Sequence, residues 1–387
     1  MKALRKYIDS VKPNFEEGGK FSWLRSTFGG FETFLFTPNE VNKGGVHVRD
    51  AVDLKRTIIV VVLALLPALL FGMYNTGYQH FRMHGILDAV TFGDIFWYGF
   101  VQVFPIIVVS YVVGLSIEFA VAQMRGHEIN EGFLATGMLI PLVMPADVPL
   151  WIVAVATAFA VIFGKEVFGG TGMNLWNPAL IARAFLFFAY PSKMSGDSVW
   201  YGNQVNVADG FSGATALSVA NQTGSTGFDF MDQVYGFIPG SIGETSVIAI
   251  ALGALLMLCT GVASWKTMFS VFIGGALTAY LFNQFGAESN NMAQLCWCDH
   301  LVLGGFCFGA VFMATDPVTS PRTESGKYIY GFLIGAMAII IRVLNPGYPE
   351  GMMLAILLLN TFAPLIDNII VGRNISRRKN RVKQIAK

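Results

Sequence analysis

Apolar residues fall along this chain in blocks near the length that a bilayer demands of a helix. Ten blocks stand out, at 57–73, 95–123, 132–144, 150–163, 178–190, 246–263, 267–283, 301–313, 328–344 and 351–370. They predict an all-α polytopic membrane protein of about ten transmembrane helices, several of them short. Residues 1–56 form an amino-terminal arm, 57–370 the transmembrane domain, and 371–387 a basic tail. The arm is mixed polar and charged, which predicts no cleavable signal. Its rings, Phe21, Trp23, Phe28, Phe31, Phe34 and Phe36, suit either an interfacial segment or a docking surface for a cytoplasmic partner protein.

Breaks in the pattern are as informative as the blocks. Block three ends at Met144-Pro145-Ala146-Asp147-Val148-Pro149, and block four runs into a stretch from Gly164 to Pro178 that holds Gly169, Gly170, Gly172, Asn174 and Asn177. Glycines, asparagines and a proline at this depth leave backbone groups unpaired, so the stretch must line a cavity or be buried in protein. A half-helix starting at Pro178 would aim its positive end at the contents of that cavity; the simpler reading is a tight turn with Asn177 capping the helix. Met313 to Pro321 stands before block nine as Met144 to Pro149 stands before block four, and Asn345-Pro346 echoes Asn177-Pro178. With five blocks to each half, the halves would be two inverted repeats with broken half-helices, a transporter architecture.

Composition agrees with this picture. The 387 residues are 54% hydrophobic and only 13% charged, too apolar for a soluble domain. Net charge, +1, says little, but the placement of the 26 Lys and Arg says much. Apart from Arg183 and Arg342 within blocks, all but Arg82 and Lys193 fall on the side of the amino terminus. The positive-inside rule therefore puts both termini in the cytoplasm. The 191–245 loop, with Asp197, Asp209, Asp229, Asp232 and Glu244, falls outside it.

Candidate chemistry sits at a few polar positions. In block two Glu118 lies toward the cytoplasmic end, where it either serves ion or proton traffic or pairs with Arg125. Gly114 beside it either leaves room for a ligand headgroup or simply allows close helix packing. Glu118, Asp316 and Asp367, all toward cytoplasmic ends, supply oxygens that could line an ion path, with Phe308 and Phe312 one turn apart as an apolar constriction. Asp316 would otherwise cap a helix or pair with Arg322, and Asp367 would balance the basic tail. Asn174 and Asn177, with the Gly169-Gly170 backbone, can hydrogen-bond along the edge of a flat ligand within the membrane. The four cysteines have neither iron-sulfur nor zinc spacing; Cys296 and Cys298 are read as free thiols before a strained disulfide. His80 and His84 are read as a surface loop, and no nucleotide-binding glycine motif is present.

The most specific stretch is Asp209-Gly210-Phe211-Ser212-Gly213-Ala214-Thr215 in the extracytoplasmic loop. Small neighbours keep the Thr215 hydroxyl open, and Asp209, three residues before Ser212, can hold a cation or a hydrogen bond. The pattern resembles the target of flavin transferases, which move FMN from FAD onto a threonine hydroxyl as a phosphoester. Together with the Gly169 to Asn177 and Asp316 segments, it resembles the family that holds the B-type subunits of the sodium-translocating NADH:quinone oxidoreductases and the D-type subunits of the Rnf complexes. The long arm and Ala216, where the Rnf proteins more often have proline, favour the former. The resemblance implies covalent FMN at Thr215, a riboflavin in the same chain bordered by Asn174, Asn177 and the Gly169-Gly170 backbone, and electrons passing on to ubiquinone near Gly114 and Glu118, while Na+ is driven outward past Glu118, Asp316, Asp367 and the Phe308 and Phe312 constriction. It implies five partner subunits in a bacterial inner-membrane complex, a flavin transferase during maturation, no nucleic acid, and a fold similar to urea transporters. A channel or transporter without redox chemistry is the competing class.

Overall fold

A computed structural model describes residues 2–16, 18–36, 45, 54–125, 132–194, 200, 213–345, 347 and 350–385, and every regular element among them is a helix. After two short helices, Lys2–Val11 and Arg25–Leu35, come α1 (Leu54–Met83), α2 (Phe92–Arg125), α3 (Phe133–Leu142), α4 (Leu150–Gly164) and α5 (Pro178–Ala189). Next are α6 (Ala216–Thr223), α7 (Val247–Cys259) and α8 (Trp265–Phe285). A single turn, α9 (Phe306–Phe308), runs into a π-helix at Gly309–Met313, followed by α10 (Glu324–Leu344) and α11 (Met352–Ile385).

Among the described residues six helices are long and apolar enough to cross a bilayer: Lys55–Met83, Phe92–Arg125, Leu150–Phe168, Trp265–Phe285, Glu324–Leu344 and Met352–Arg381. The apolar helices α3, α5 and α7 have 10, 12 and 13 residues. At the α-helical rise they span only about 15 to 20 Å, short of a hydrocarbon core of about 30 Å. Side chains such as Leu63 and Leu70 of α1 and Val101, Phe104 and Val112 of α2 face outward, while Leu65, Val103 and Ile106 on the opposite faces are buried. Lipid-facing helices need this arrangement.

Three of the sequence boundaries move, one of them at the end of α11, which runs to Ile385 rather than stopping at 370. Hydropathy ends the first span at 73, but α1 continues through a polar turn to Met83. Asn75, Thr76 and Gln79 are buried there; the Asn75 amide donates to the Ile238 carbonyl at 3.0 Å and Gln79 donates to Asn75 at 3.2 Å. His80 is therefore helical, not on a loop, and stacks on Tyr98 with ring centroids 3.9 Å apart. The block at 301–313, expected as one span, is instead divided among Trp297–Val302, α9 and the π-helix.

Helices α8 and α10 meet along small residues. A side chain at Gly274 would strike the Phe332 carbonyl, and one at Gly335 the Val271 carbonyl, so the two backbones approach closely, as expected where packing rather than solvent exclusion drives association. The core they bound is one contiguous cluster that runs from Leu65, Ile106 and Ile140 to Phe306, Ile334 and Ile356.

Candidate functional site

Thr215 is the N-cap of α6, with extended backbone (φ −65°, ψ 153°), and its hydroxyl accepts from the Ser218 N–H at 3.2 Å. Gly213, Ala214 and Ala216 are buried around it. Asp209 and Ser212 lie outside the described residues. Gly213 to Thr215 thus pack against the helices, and Thr215 stands in the wall of a cavity of about 330 Å³. Arg183 and Phe187 of α5, Trp200, Ile238 to Ser241, Glu244 and Thr245, Leu303-Gly304 and Glu350 complete much of the lining.

Arg183 organises one side of this cavity. Its Nη1 donates to Glu244 Oε1 at 2.9 Å, to Ser241 Oγ at 3.2 Å and to the Val143 carbonyl, and its Nη2 donates to both oxygens of Glu350. One buried guanidinium so binds three separate segments. Burial pushes the Glu244 carboxyl well above its usual range; Arg183 opposes the shift and the adjacent Glu350 adds to it. Beside them Arg342, also buried, donates to the carbonyls of His300 at 2.6 Å, Leu303 at 3.2 Å and Glu350 at 3.3 Å. The Thr245 hydroxyl is buried and has no hydrogen-bond partner.

The other sequence candidates lie apart from this cavity. Glu118 is buried and takes Lys165 as its ion partner, not Arg125, which instead approaches Glu166 at 3.9 Å. The room expected at Gly114 is taken: a Cβ there would overlap the Phe133 ring, so the glycine serves the α2–α3 contact. Gly114→Val is therefore expected to destabilise the chain by about 1–3 kcal/mol through overpacking, read as a lower Tm. Gly169, Gly170 and Gly172 all have positive φ (117°, 96° and 90°), a turn that L side chains would strain. Asn174 donates to the Trp176 carbonyl at 3.0 Å, and Asn177 caps α5 by accepting from Ala179 N–H at 2.9 Å.

Asp316 accepts from Val318 N–H at 3.1 Å and from the Thr319 hydroxyl at 3.0 Å, bonds within its own turn. Asp367 on α11 accepts from Arg322 N–H at 2.8 Å, Thr323 N–H at 3.0 Å and the Thr323 hydroxyl, tying α11 to the start of α10. The Phe308 and Phe312 rings are buried together with centroids 5.0 Å apart. All four cysteines are free thiols.

The model of the NQR2, RnfD, RnfE family matches residues 41–376. The chain belongs to this family. It is 48% identical to the B subunit of the Na(+)-translocating NADH-quinone reductase of Chromohalobacter salexigens, over 98% of this chain and 96% of the relative. The B subunits of the same reductase from Ectopseudomonas mendocina (46% identical) and Azotobacter vinelandii (45%) each align over 97% of this chain and 98% of their own length. These relatives are named as subunits of an oxidoreductase complex, and the six spanning-length helices make this NQR2/RnfD/RnfE member a multi-pass membrane protein.

In this family member the sequence marks Arg183 and Arg342 as charges within apolar blocks but gives them no role. Their partners Glu244 and Glu350 lie in connecting segments, and nothing local marks them. Charge placement puts Lys165 on the cytoplasmic surface, yet it is buried against Glu118. A cation at the end of an apolar run followed by a glycine turn was the available signal.

Proposed function

We propose that this chain is the B-type membrane component of a redox-driven sodium pump, that Thr215 carries FMN as a phosphoester, and that electrons pass through it by way of riboflavin to ubiquinone while Na+ is exported. The near end-to-end similarity to the quinone-reductase B subunits favours this over the D-type component of an Rnf complex. The observation that carries the flavin assignment is the position of Thr215, at a helix N-cap on the wall of a cavity of about 330 Å³, within the size range of small-molecule sites. A phosphoester there would meet the N–H groups at the start of α6. FMN supplies one- and two-electron chemistry when bound. The chain's own part is to hold it: Thr215 as the anchor, Ser218 N–H beside the ester oxygen, and the Arg183 cluster with Thr245 lining the ring space.

The finer assignments follow as part of the same reading. Ten spans in two inverted repeats, with α3, α5 and α7 as half-crossings, agree with the short helix lengths, and positive-inside charge puts both termini in the cytoplasm and Thr215 on the periplasmic side. Asn174 and the Gly169-Gly170 turn would border riboflavin, while the Asn177 carbonyl oxygen is committed to its cap. Quinone would approach near Glu118 and the Phe133 ring rather than in a space at Gly114. Asp316, with Glu118 and Asp367, would collect Na+ below the Phe308–Phe312 pair. Mass spectrometry of the tryptic peptide 194–266, from chain co-expressed with a flavin transferase, should show FMN less one water on Thr215. Unmodified peptide would overturn the flavin assignment and return the chain to the class of non-redox transporters.

A further inference from the structure

We infer that the isoalloxazine ring of the flavin on Thr215 lies in the adjoining cavity, with its pyrimidine edge on the hydroxyl of Thr245, so that Thr245 tunes how easily the ring is reduced. This rests on the flavin assignment proposed above. Thr245 is 4% exposed, lines the cavity, and is the one residue in that lining, among those described, whose buried hydroxyl has no partner. A buried hydroxyl left unmatched is costly, and its position in a cavity wall points to an occupant that completes the bond.

The other buried polar groups of the lining are already engaged. The Ser241 hydroxyl and the Glu244 carboxyl both accept from Arg183, and Glu350 takes the other arm of the same guanidinium. Arg183, the one arginine of the lining among the described residues, is spent on Glu244 and Glu350, so the charged groups are engaged with one another rather than offered to a bare ion. The cavity suits a flat, neutral, largely apolar body with a hydrogen-bonding edge. Phe187 and Trp200 supply apolar wall for its faces.

The direction of the effect follows from where reduction puts charge. Electrons added to the flavin raise the density on the pyrimidine N1 and C2 carbonyl, so a hydroxyl donating there binds the reduced ring more tightly than the oxidised one. No bond to Thr245 forms or breaks, and the electron and proton count of the flavin couple is unchanged. The threonine shifts the equilibrium by holding one side of it better.

The test uses the full chain, modified by its transferase and purified in detergent. In Thr245→Val, flavin content per chain should equal wild type, while the ratio of reduced to oxidised flavin at a fixed poised potential falls roughly fivefold, the worth of one buried hydrogen bond. Thr245→Ser, which keeps the hydroxyl, should titrate as wild type. As a second measurement on unmutated protein, iodide should quench the native flavin's fluorescence far less than that of free FMN. Equal potentials in the valine and serine variants, or iodide quenching as efficient as for free FMN, overturns the inference while Thr215 remains flavinylated. Absence of covalent flavin from wild-type chain instead removes the reading on which it rests.

Discussion

Thr215→Val is expected to lose all covalent flavin while the chain still inserts and folds. The hydroxyl oxygen is the atom through which a phosphoester must form, and valine keeps the branched shape while removing it. The structural cost is one cap: Thr215 accepts from Ser218 N–H at 3.2 Å, and losing such a cap costs about 1 kcal/mol. The surrounding contacts of Ala216 and Leu217 stay buried, so the variant should reach the membrane in near-normal amount. In-gel flavin fluorescence of denatured protein, read against total protein, decides the matter. A fluorescent band at wild-type intensity in the valine variant would place the attachment elsewhere.

The largest stability effect should come from Arg183→Leu. Removing the guanidinium strands Glu244 and Glu350, one of them fully buried, beside each other and leaves the Val143 carbonyl and Ser241 hydroxyl without their donor. Breaking a buried ion pair from one side costs about 3–5 kcal/mol, enough to deplete folded protein in the membrane. Glu244→Gln keeps the shape and relieves the crowding of two carboxyls, so its cost should be much smaller. It should also change the pH response. The Glu244 carboxyl titrates above its usual range in the folded chain, so between its unfolded and folded values the native state holds the extra proton, and stability falls as pH rises through that window. Thermal unfolding in detergent across pH should show this fall in wild type and a flatter profile in Glu244→Gln. An Arg183→Leu chain as heat-stable as wild type would show that the cluster does not hold these segments together.

Much of the frame was legible because hydropathy is a local property. Nine of the ten apolar blocks coincide with helices to within a few residues at most ends. Where the frame was misread, the cause is tertiary. The polar turn Asn75 to Gln79 stays helical because it bonds to Ile238 and to itself inside the protein. The 301–313 block is divided at Gly304-Gly305, where any side chain would strike Leu217, Met353 or Glu244. Thr215 stands out from its own stretch of sequence. Its cavity does not, since Arg183 reaches partners 61 and 167 residues away and no window of sequence contains them. Gly114 stays open between space and contact in the sequence and proves to be contact, because a glycine in a sequence does not say whether a ligand or a neighbouring ring fills what it vacates.

The half-length of α3, α5 and α7 has an electrical consequence. On the proposed reading of these helices, of 10 to 13 residues, as half-crossings, the layer of low dielectric beside them would be thinner than the bilayer around it. The voltage across the membrane is fixed by the cell, so it drops over that thinner layer and the local field steepens. A unit charge crossing there still does the full work, about 2.3 kcal/mol per 100 mV, but does it in fewer ångströms. Small displacements of charged groups within this waist therefore exchange more energy with the membrane potential than the same displacements along the full-length helices α1, α2 or α8.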